Sequence, residues 1–323
     1  MRIFAFHDES GCGEYRIKIP LGELAKHGHE VKMMAGGSGS LAEGYQVIVA
    51  QRTDKYDALP VWRRFKSRSR LVYEIDDDVF NTTPVNWMAH RVYSKPDVQD
   101  AVAHAAEVAD LVTVTTEPLA EVMRRHNPNV VVIPNHVPSE VFDIQRRRPQ
   151  RLTVGWSGGA SHGADLAMVA PHLRRVVDRC KVDLHLVGTD YSETIRRPCR
   201  FTPWNQTHTA DGYYANIDFD IGIAPLTGTE FDRSKSHIKA LEYAALGIPV
   251  VATDLEPYRD FVVDGVTGFL VRHEHEWFKR LRELANDAAM REEMGAKAKQ
   301  VARGFDIGEG WKLWASAYEG LLS

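Results

Sequence analysis

The sequence predicts an α/β protein in which parallel sheets are covered on both faces by helices, in two successive domains. Short apolar runs alternate with helical stretches along the chain, the pattern of parallel strands joined by helical crossovers. A new strand, glycine loop and helix begin at Leu152, after a polar Arg/Pro-containing segment. The 323 residues suffice for two domains of ordinary size.

Arg2–Phe6 reads as a buried strand, and Gly11-Cys12-Gly13 as a turn opening a helix that ends near Gly28. Glu30–Ala35 then completes a βαβ start. Gly11 and Gly13 could bring backbone close to a diphosphate or simply supply a tight turn, and the run is no G-x-G-x-x-G fingerprint. Gln46–Gln51, Leu71–Ile75, Leu111–Thr115 and Val130–Ile133 are further strands, with helices expected over Val98–Ala109 and Pro118–His126. The expected boundaries are a first domain over 1–138, a linker over 139–150, a second domain over 151–304 and a terminal helix over 305–323.

In the second half, Leu152–Ser157 is a strand running into Gly158 and Gly159, with Ser161-His162 at the next helix start. Ser157, Gly158 and His162 therefore form a candidate diphosphate cradle. Val182–Val187 ends at Gly188, and Arg200–Trp204 reads as a short extended segment. Trp204 is a stacking platform or a core residue. Asp220–Leu226 and Val250–Thr253 are buried strands flanking the most informative stretch of the chain.

That stretch, Glu230–Leu255, reads E-F-D-R-S-K-S-H-I-K-A-L-E-Y-A-A-L-G-I-P-V-V-A-T-D-L. Ser234 as N-cap and Gly247 as stop predict a helix of about three turns. Lys235, Lys239 and Glu242 recur at helical spacing along one face, beside the buried stripe of Ile238, Leu241 and Ala245. Free amides at the helix start and two lysines suit a phosphate, and Glu242 can accept from a vicinal diol. A solvated face with incidental Lys–Glu pairing fits the same spacing.

The run K-S-x-x-K-A-L-E-Y-A-A-L-G-I-P-V-V-A-T resembles the donor segment of GT-B-fold glycosyltransferases, in particular the retaining group that uses nucleotide-diphosphate sugars. I-P-N-H-V before the linker and G-V-T-G-F-L-V late in the chain extend the likeness. The resemblance implies two Rossmann-like domains facing across a cleft, with the donor on the second and the acceptor on the first. It implies that Glu242 holds the ribose and that Glu230, Phe231, Ser234, Lys235, Ser236 and Lys239 hold the diphosphate and sugar. It also places Gly11 and Gly13 opposite the donor, Trp204 near the base, and the crossing terminal helix on the first domain, while Gly188 ends its strand as ligand-facing strands often do. The chain departs from the family pattern at Ser234, where a second glutamate is usual, and at His136, where glycine is usual. His162 stands where the family usually has Arg or Lys.

Glu74-Ile75-Asp76-Asp77-Asp78 lies where a strand ends, the place where α/β sheets gather ligands. Alternation on an extended chain would set Asp76 and Asp78 on one face, a possible hard-cation pair, with Asp77 opposite. N-caps and turns are the plainer use of such residues. By resemblance Asp76 and Asp77 lie near the acceptor and the reacting sugar, the fold needs neither metal nor other cofactor, and the lysines with the helix start stabilise the departing diphosphate. Asp76, Asp77, Lys235 and Lys239 are thus the expected catalytic residues. The run V-W-R-R-F-K-S-R-S-R sets Arg63, Arg64, Lys66, Arg68 and Arg70 around Trp62 and Phe65. It reads as a basic helix face, either merely solvated or facing an anionic acceptor or membrane surface.

Composition excludes several classes. With 44% hydrophobic and 26% charged residues and a net charge of −4, the chain is ordinary globular material without a general nucleic-acid footprint. Its three cysteines share no CxxC spacing, which points to a reduced, cytoplasmic protein. No apolar run reaches the roughly 20 residues of a membrane span, and the amino terminus enters a strand without a signal peptide. The expected activity is glycosyl transfer from a nucleotide-diphosphate sugar to an acceptor that the sequence does not specify (a glycan, lipid-linked sugar or protein). A nucleotide-sugar epimerase of the same fold and a non-catalytic sugar-nucleotide-binding protein are the alternatives.

Overall fold

A computed structural model describes residues 1–9, 11–35, 42–52, 58–204 and 212–323. Twelve strands form two six-stranded parallel sheets among these residues. The first contains β1 (Arg2–His7), β2 (Glu30–Ala35), β3 (Val47–Gln51), β4 (Arg70–Glu74), β5 (Leu111–Val114) and β6 (Val130–Val132) in the order β2-β1-β3-β4-β5-β6. The second contains β7 (Thr153–Gly158), β8 (Asp183–Gly188), β9 (Arg200–Pro203), β10 (Ile221–Ala224), β11 (Val250–Thr253) and β12 (Gly268–Val271) in the order β12-β11-β10-β7-β8-β9. The central strands β3, β7 and β10 are buried along their whole length. Hence they read as continuous apolar runs, because helices cover both faces.

The first helical segment starts at Gly11 itself and continues through a wide-turn stretch, Glu14–Lys18, into Ile19–Lys26. The glycines are thus inside the helix, not in a preceding turn. Gly13 has a steric reason to lack a side chain, since a Cβ there would lie 2.2 Å from the Asp8 carbonyl oxygen.

The terminal helix Ile307–Glu319 buries Ile307, Trp314, Ala315 and Tyr318 against Ile3, Ala5, Leu21 and Leu24. Just before it, the backbone pairs with the I-P-N-H-V segment, Val137 N–H donating to the Phe305 carbonyl and Ile307 N–H to that of Val137. His136 is buried there, its ring meeting Trp314 edge-on at 5.4 Å. A Cβ on Gly310 would fall 2.0 Å from that ring. The imidazole at 136 is therefore accommodated by the missing side chain at 310.

Candidate functional site

The carboxyl ends of both sheets open onto one cavity of about 600 Å³. Its walls include Gly11, Asp76 and Asp77 from the first half and Ser157, Gly158, His162, Trp204, Phe231, Lys235, Ser236, Lys239 and Glu242 from the second. Gly13, Gly188, Glu230 and Ser234 are not on the wall. Gly188 (φ +101°) lies behind it, where a Cβ would strike the Gly158 carbonyl and press on Trp204. Glu230 is exposed and faces Arg233, while Ser234 is buried with its carbonyl accepting from Thr116.

The expected three-turn helix divides into two shorter ones. Thr229 and Asp232 form a capping box for the short helix Glu230–Arg233, which ends at Ser234, and the next helix spans Ile238–Ala245. Ser234 is thus a C-cap, and Lys235 lies in the connecting turn. The loop amides are not free either. Thr227 N–H donates to Asp165, and those of Gly228 and Thr229 donate to Asp232. Asp232 competes for these loop amides, so an anion on the second-half side of the cavity meets the side chains of Lys235 and Lys239, while Arg16 and Arg52 line the first-half side.

Lys235 Nζ lies 3.2 Å from Asp77 Oδ1, across the cleft, and 4.2 Å from the centre of the Phe231 ring. Lys239 Nζ lies 2.9 Å from His162 Nε2 and 5.9 Å from the Trp156 ring centre. Burial, reinforced by Lys235, lowers the Lys239 ammonium to about 8. Glu242 Oε1 accepts from Tyr15 Oη and Oε2 from Tyr213 Oη at 2.9 Å, with Ser157 Oγ at 3.4 Å. Burial raises the Glu242 carboxyl to about 7.

The acidic run disperses, because β4 ends at Glu74 and strand alternation does not extend to residues 76–78. Glu74 is buried in a two-pronged pair with Arg16, at 2.7 and 3.1 Å. Asp76 Oδ1 lies 2.8 Å from Arg52, and Asp77 faces Lys235. Asp78 turns into its own loop, accepting from the Phe80 and Asn81 amides. The expected Asp76/Asp78 pair on one face does not form. For Asp77, burial opposes ionisation, but Lys235 and Arg52 outweigh it and hold the carboxyl below its usual value.

Arg52 escaped the reading of the sequence, although it follows the carboxyl end of β3, a position that marks ligand sites in such sheets. It is held at φ +48°, in the left-handed region, where a non-glycine residue is strained by about 1–3 kcal/mol. Asp76 and the Glu74 carbonyl hold it there. Tyr15 and Tyr213 also line the cavity, and no spacing in the sequence pointed to them.

The basic run is exposed, as both of its expected readings require, but only its first part is helical, in Leu59–Phe65. Trp62 and Phe65 are buried in the first-sheet core, while Arg63, Arg64, Lys66, Arg68 and Arg70 are exposed, with Lys66 paired to Asp110 at 2.7 Å. Arg70 opens β4, whose opposite end leads to Asp76 and Asp77. Five residues of strand, about 17 Å, separate the patch from the cavity.

Residues 152–287 match the family described as glycosyl transferases group 1. A 79-residue stretch is 39% identical to D-inositol 3-phosphate glycosyltransferase of Paenarthrobacter aurescens (strain TC1), covering 24% of this chain and 18% of that protein. The fold is similar to that of Anabaena HepE solved with UDP and glucose (TM-score 0.71, 17% identity, 99% of this chain and 100% of that one). It is also similar to sucrose-phosphate synthase from Thermosynechococcus elongatus (TM-score 0.68, 14% identity, 100% and 99%). These likenesses show the GT-B fold, with two α/β units of Rossmann type. Among the described residues no helix is long and apolar enough to cross a membrane.

Proposed function

We propose that this chain, a GT-B fold whose second half resembles the group 1 glycosyltransferases, transfers a sugar from a nucleotide-diphosphate donor to an acceptor held by the first sheet, with retention of anomeric configuration. The observation that carries this reading is the convergence of Lys235, Lys239 and Glu242 in one cavity between the carboxyl ends of both sheets. Glu242 accepts the ribose hydroxyls, Trp204 flanks the base, and Lys235 and Lys239 neutralise the diphosphate. Negative charge grows on the diphosphate as the glycosidic bond breaks. Two fixed cations therefore stabilise the transition state more than the ground state. Asp77 faces this point from the acceptor side and can orient an acceptor hydroxyl or take up its proton.

Uridine nucleotides are the first donors to test, since HepE was solved with UDP. A thermal-shift panel of nucleotide sugars finds the donor, because a ligand at 100 times its Kd adds about 2.7 kcal/mol. Incubation with labelled donor then separates the activities. Slow release of free sugar supports transfer, a new sugar isomer indicates epimerisation, and binding without turnover overturns the enzymatic reading. NMR of the glycosylated product reads retention directly.

A further inference from the structure

We propose that His162 and Asp165 form a positioning pair that aims the Lys239 ammonium at the distal phosphate of a nucleoside diphosphate. This deepens the proposed donor site and rests on it. Asp165 lies in the helix Gly163–Cys180, is 2% exposed, and is not on the cavity wall.

The geometry determines the proton order. Asp165 Oδ2 is 2.7 Å from His162 Nδ1, and Asp165 Oδ1 accepts from the Thr227 amide at 2.9 Å, which fixes the carboxylate plane. A carboxylate accepts only, so Nδ1 carries the imidazole proton and Nε2 presents a lone pair. Nε2 is 2.9 Å from Lys239 Nζ, and the ammonium therefore donates to it. The imidazole is held in turn by edge-on packing on Trp156 at 5.6 Å, and its own amide donates to Tyr191 Oη at 3.2 Å. One of the three lysine N–H groups is thus committed, and the other two are available to the cavity. A lysine free to swing would bind one phosphate as well as another, whereas a tethered one selects the distal position.

The charged groups facing Lys239 are Lys235, Glu242, Asp165 and Asp77, and Asp232 also faces His162. Burial and Lys235 push Lys239 down to about 8, against the pull of Glu242, Asp165 and Asp77. Asp165 therefore both orders the imidazole and helps to keep the lysine charged.

Calorimetric titration of the full chain with UDP and UMP across the alkaline pH range tests this in wild type, Asp165→Asn, His162→Gln and His162→Leu. Wild-type affinity for UDP should fall above about pH 8. In Asp165→Asn, which keeps an acceptor for Thr227, that limb should move down by about one pH unit. UMP affinity should stay within about threefold in all variants, because Lys239 serves the distal phosphate. His162→Leu should lose roughly tenfold for UDP, and His162→Gln, which retains an acceptor for the lysine, should recover most of it. Melting temperatures close to wild type show that the variants are folded. An unmoved alkaline limb in Asp165→Asn, or equal losses for UDP and UMP, overturns the pairing while leaving the donor site intact. Wild-type protein that binds neither nucleotide overturns the donor reading and this pairing with it.

Discussion

Tyr15 of the first half donates its phenolic proton to the Glu242 carboxylate of the second, so one hydrogen bond closes the cleft at the proposed ribose site. The same hydroxyl lies 2.8 Å from that of Tyr214, and Tyr213 holds the other carboxylate oxygen. A ribose diol would meet an acceptor already oriented by phenols. Glu242→Ala should weaken a ribonucleoside diphosphate roughly ten- to a hundredfold, as expected for losing hydrogen bonds to a charged acceptor. It should also abolish discrimination against the 2′,3′-dideoxy analogue. An unchanged Kd sinks the ribose assignment.

The raised Glu242 carboxyl makes that binding pH-dependent. Its ionised form is the better diol acceptor, so affinity should drop as pH falls through about 7. Deprotonation of Lys239 should weaken diphosphate binding above about 8. The expected profile is a bell. Glu242→Gln should flatten the acid limb only, and a Gln variant that retains that limb would assign it to another group.

Lys235 and Lys239 differ in their partners, one tied to Asp77 and the other to His162. Lys235→Ala and Lys239→Ala should each reduce turnover more than they reduce nucleoside monophosphate binding, because leaving-group charge develops beyond the first phosphate. Equal losses for mono- and diphosphate would place the lysines elsewhere.

Strands such as β3, β5, β7 and β10 were legible because each is an apolar run buried along its whole length, whereas β9 at a sheet edge is largely exposed and reads only as an extended segment. The cavity was legible only where one local motif supplied it, as with Lys235, Lys239 and Glu242. Ser234 misled because it is a good N-cap residue, yet the capping box of Thr229 and Asp232 starts a short helix upstream, and Ser234 closes it. Phe231, by contrast, lies under Lys235 as well as on the wall. Tyr15 meets Glu242 across 227 positions and Asn86 meets Asp232 across 146, with a donor distance of 3.3 Å. Contacts of that range leave no local signature, because they are set by how the two sheets face each other.

His136 and Gly310 should behave as a coupled pair. Gly310→Ala would drive a methyl group into the imidazole, and overpacking of this kind costs roughly 1–3 kcal/mol. In His136→Gly the same alanine should be tolerated, so a double-mutant cycle should show coupling well above about 0.5 kcal/mol. Burial also lowers His136 to about 4. The unfolded state then binds more protons, and stability should fall as pH drops from about 6.5 toward 4. Additive substitutions with an unaltered acid limb in His136→Gly would separate the two residues.

The basic patch lies at the amino end of β4, away from the cavity. Replacing Arg63, Arg64 and Arg68 by Gln should therefore leave turnover of a soluble acceptor within about twofold at about 0.1 M salt, where charges beyond a Debye length of about 10 Å are screened. A patch that serves an anionic surface would instead show in weaker sedimentation with anionic vesicles at low salt. Lost turnover on a soluble acceptor would bring the patch back to the site.

Asp76 and Asp77 have the same side chain and different surroundings, and their substitutions should separate accordingly. Asp76 is bound to Arg52, which is itself strained, so its carboxylate serves chiefly to hold that guanidinium at the wall. Asp77 is held by Lys235 from the opposite side of the cleft. Under the proposed function an incoming diphosphate would compete for Lys235 and would release the Asp77 carboxylate toward the acceptor. Cations already offset both aspartates, and two nearby positive charges disfavour a divalent ion at the same oxygens. Asp77→Asn should therefore lower turnover by about a hundredfold or more, the usual worth of a positioned acid–base group, with nucleotide affinity within about threefold. Asp76→Asn should free Arg52 at the wall, on the first-sheet side where the acceptor is proposed to bind, and raise the acceptor KM more than it lowers kcat. Activity should survive exhaustive chelation. Activity that vanishes with chelator and returns with an added divalent cation would falsify the assignment and make the pair a metal site.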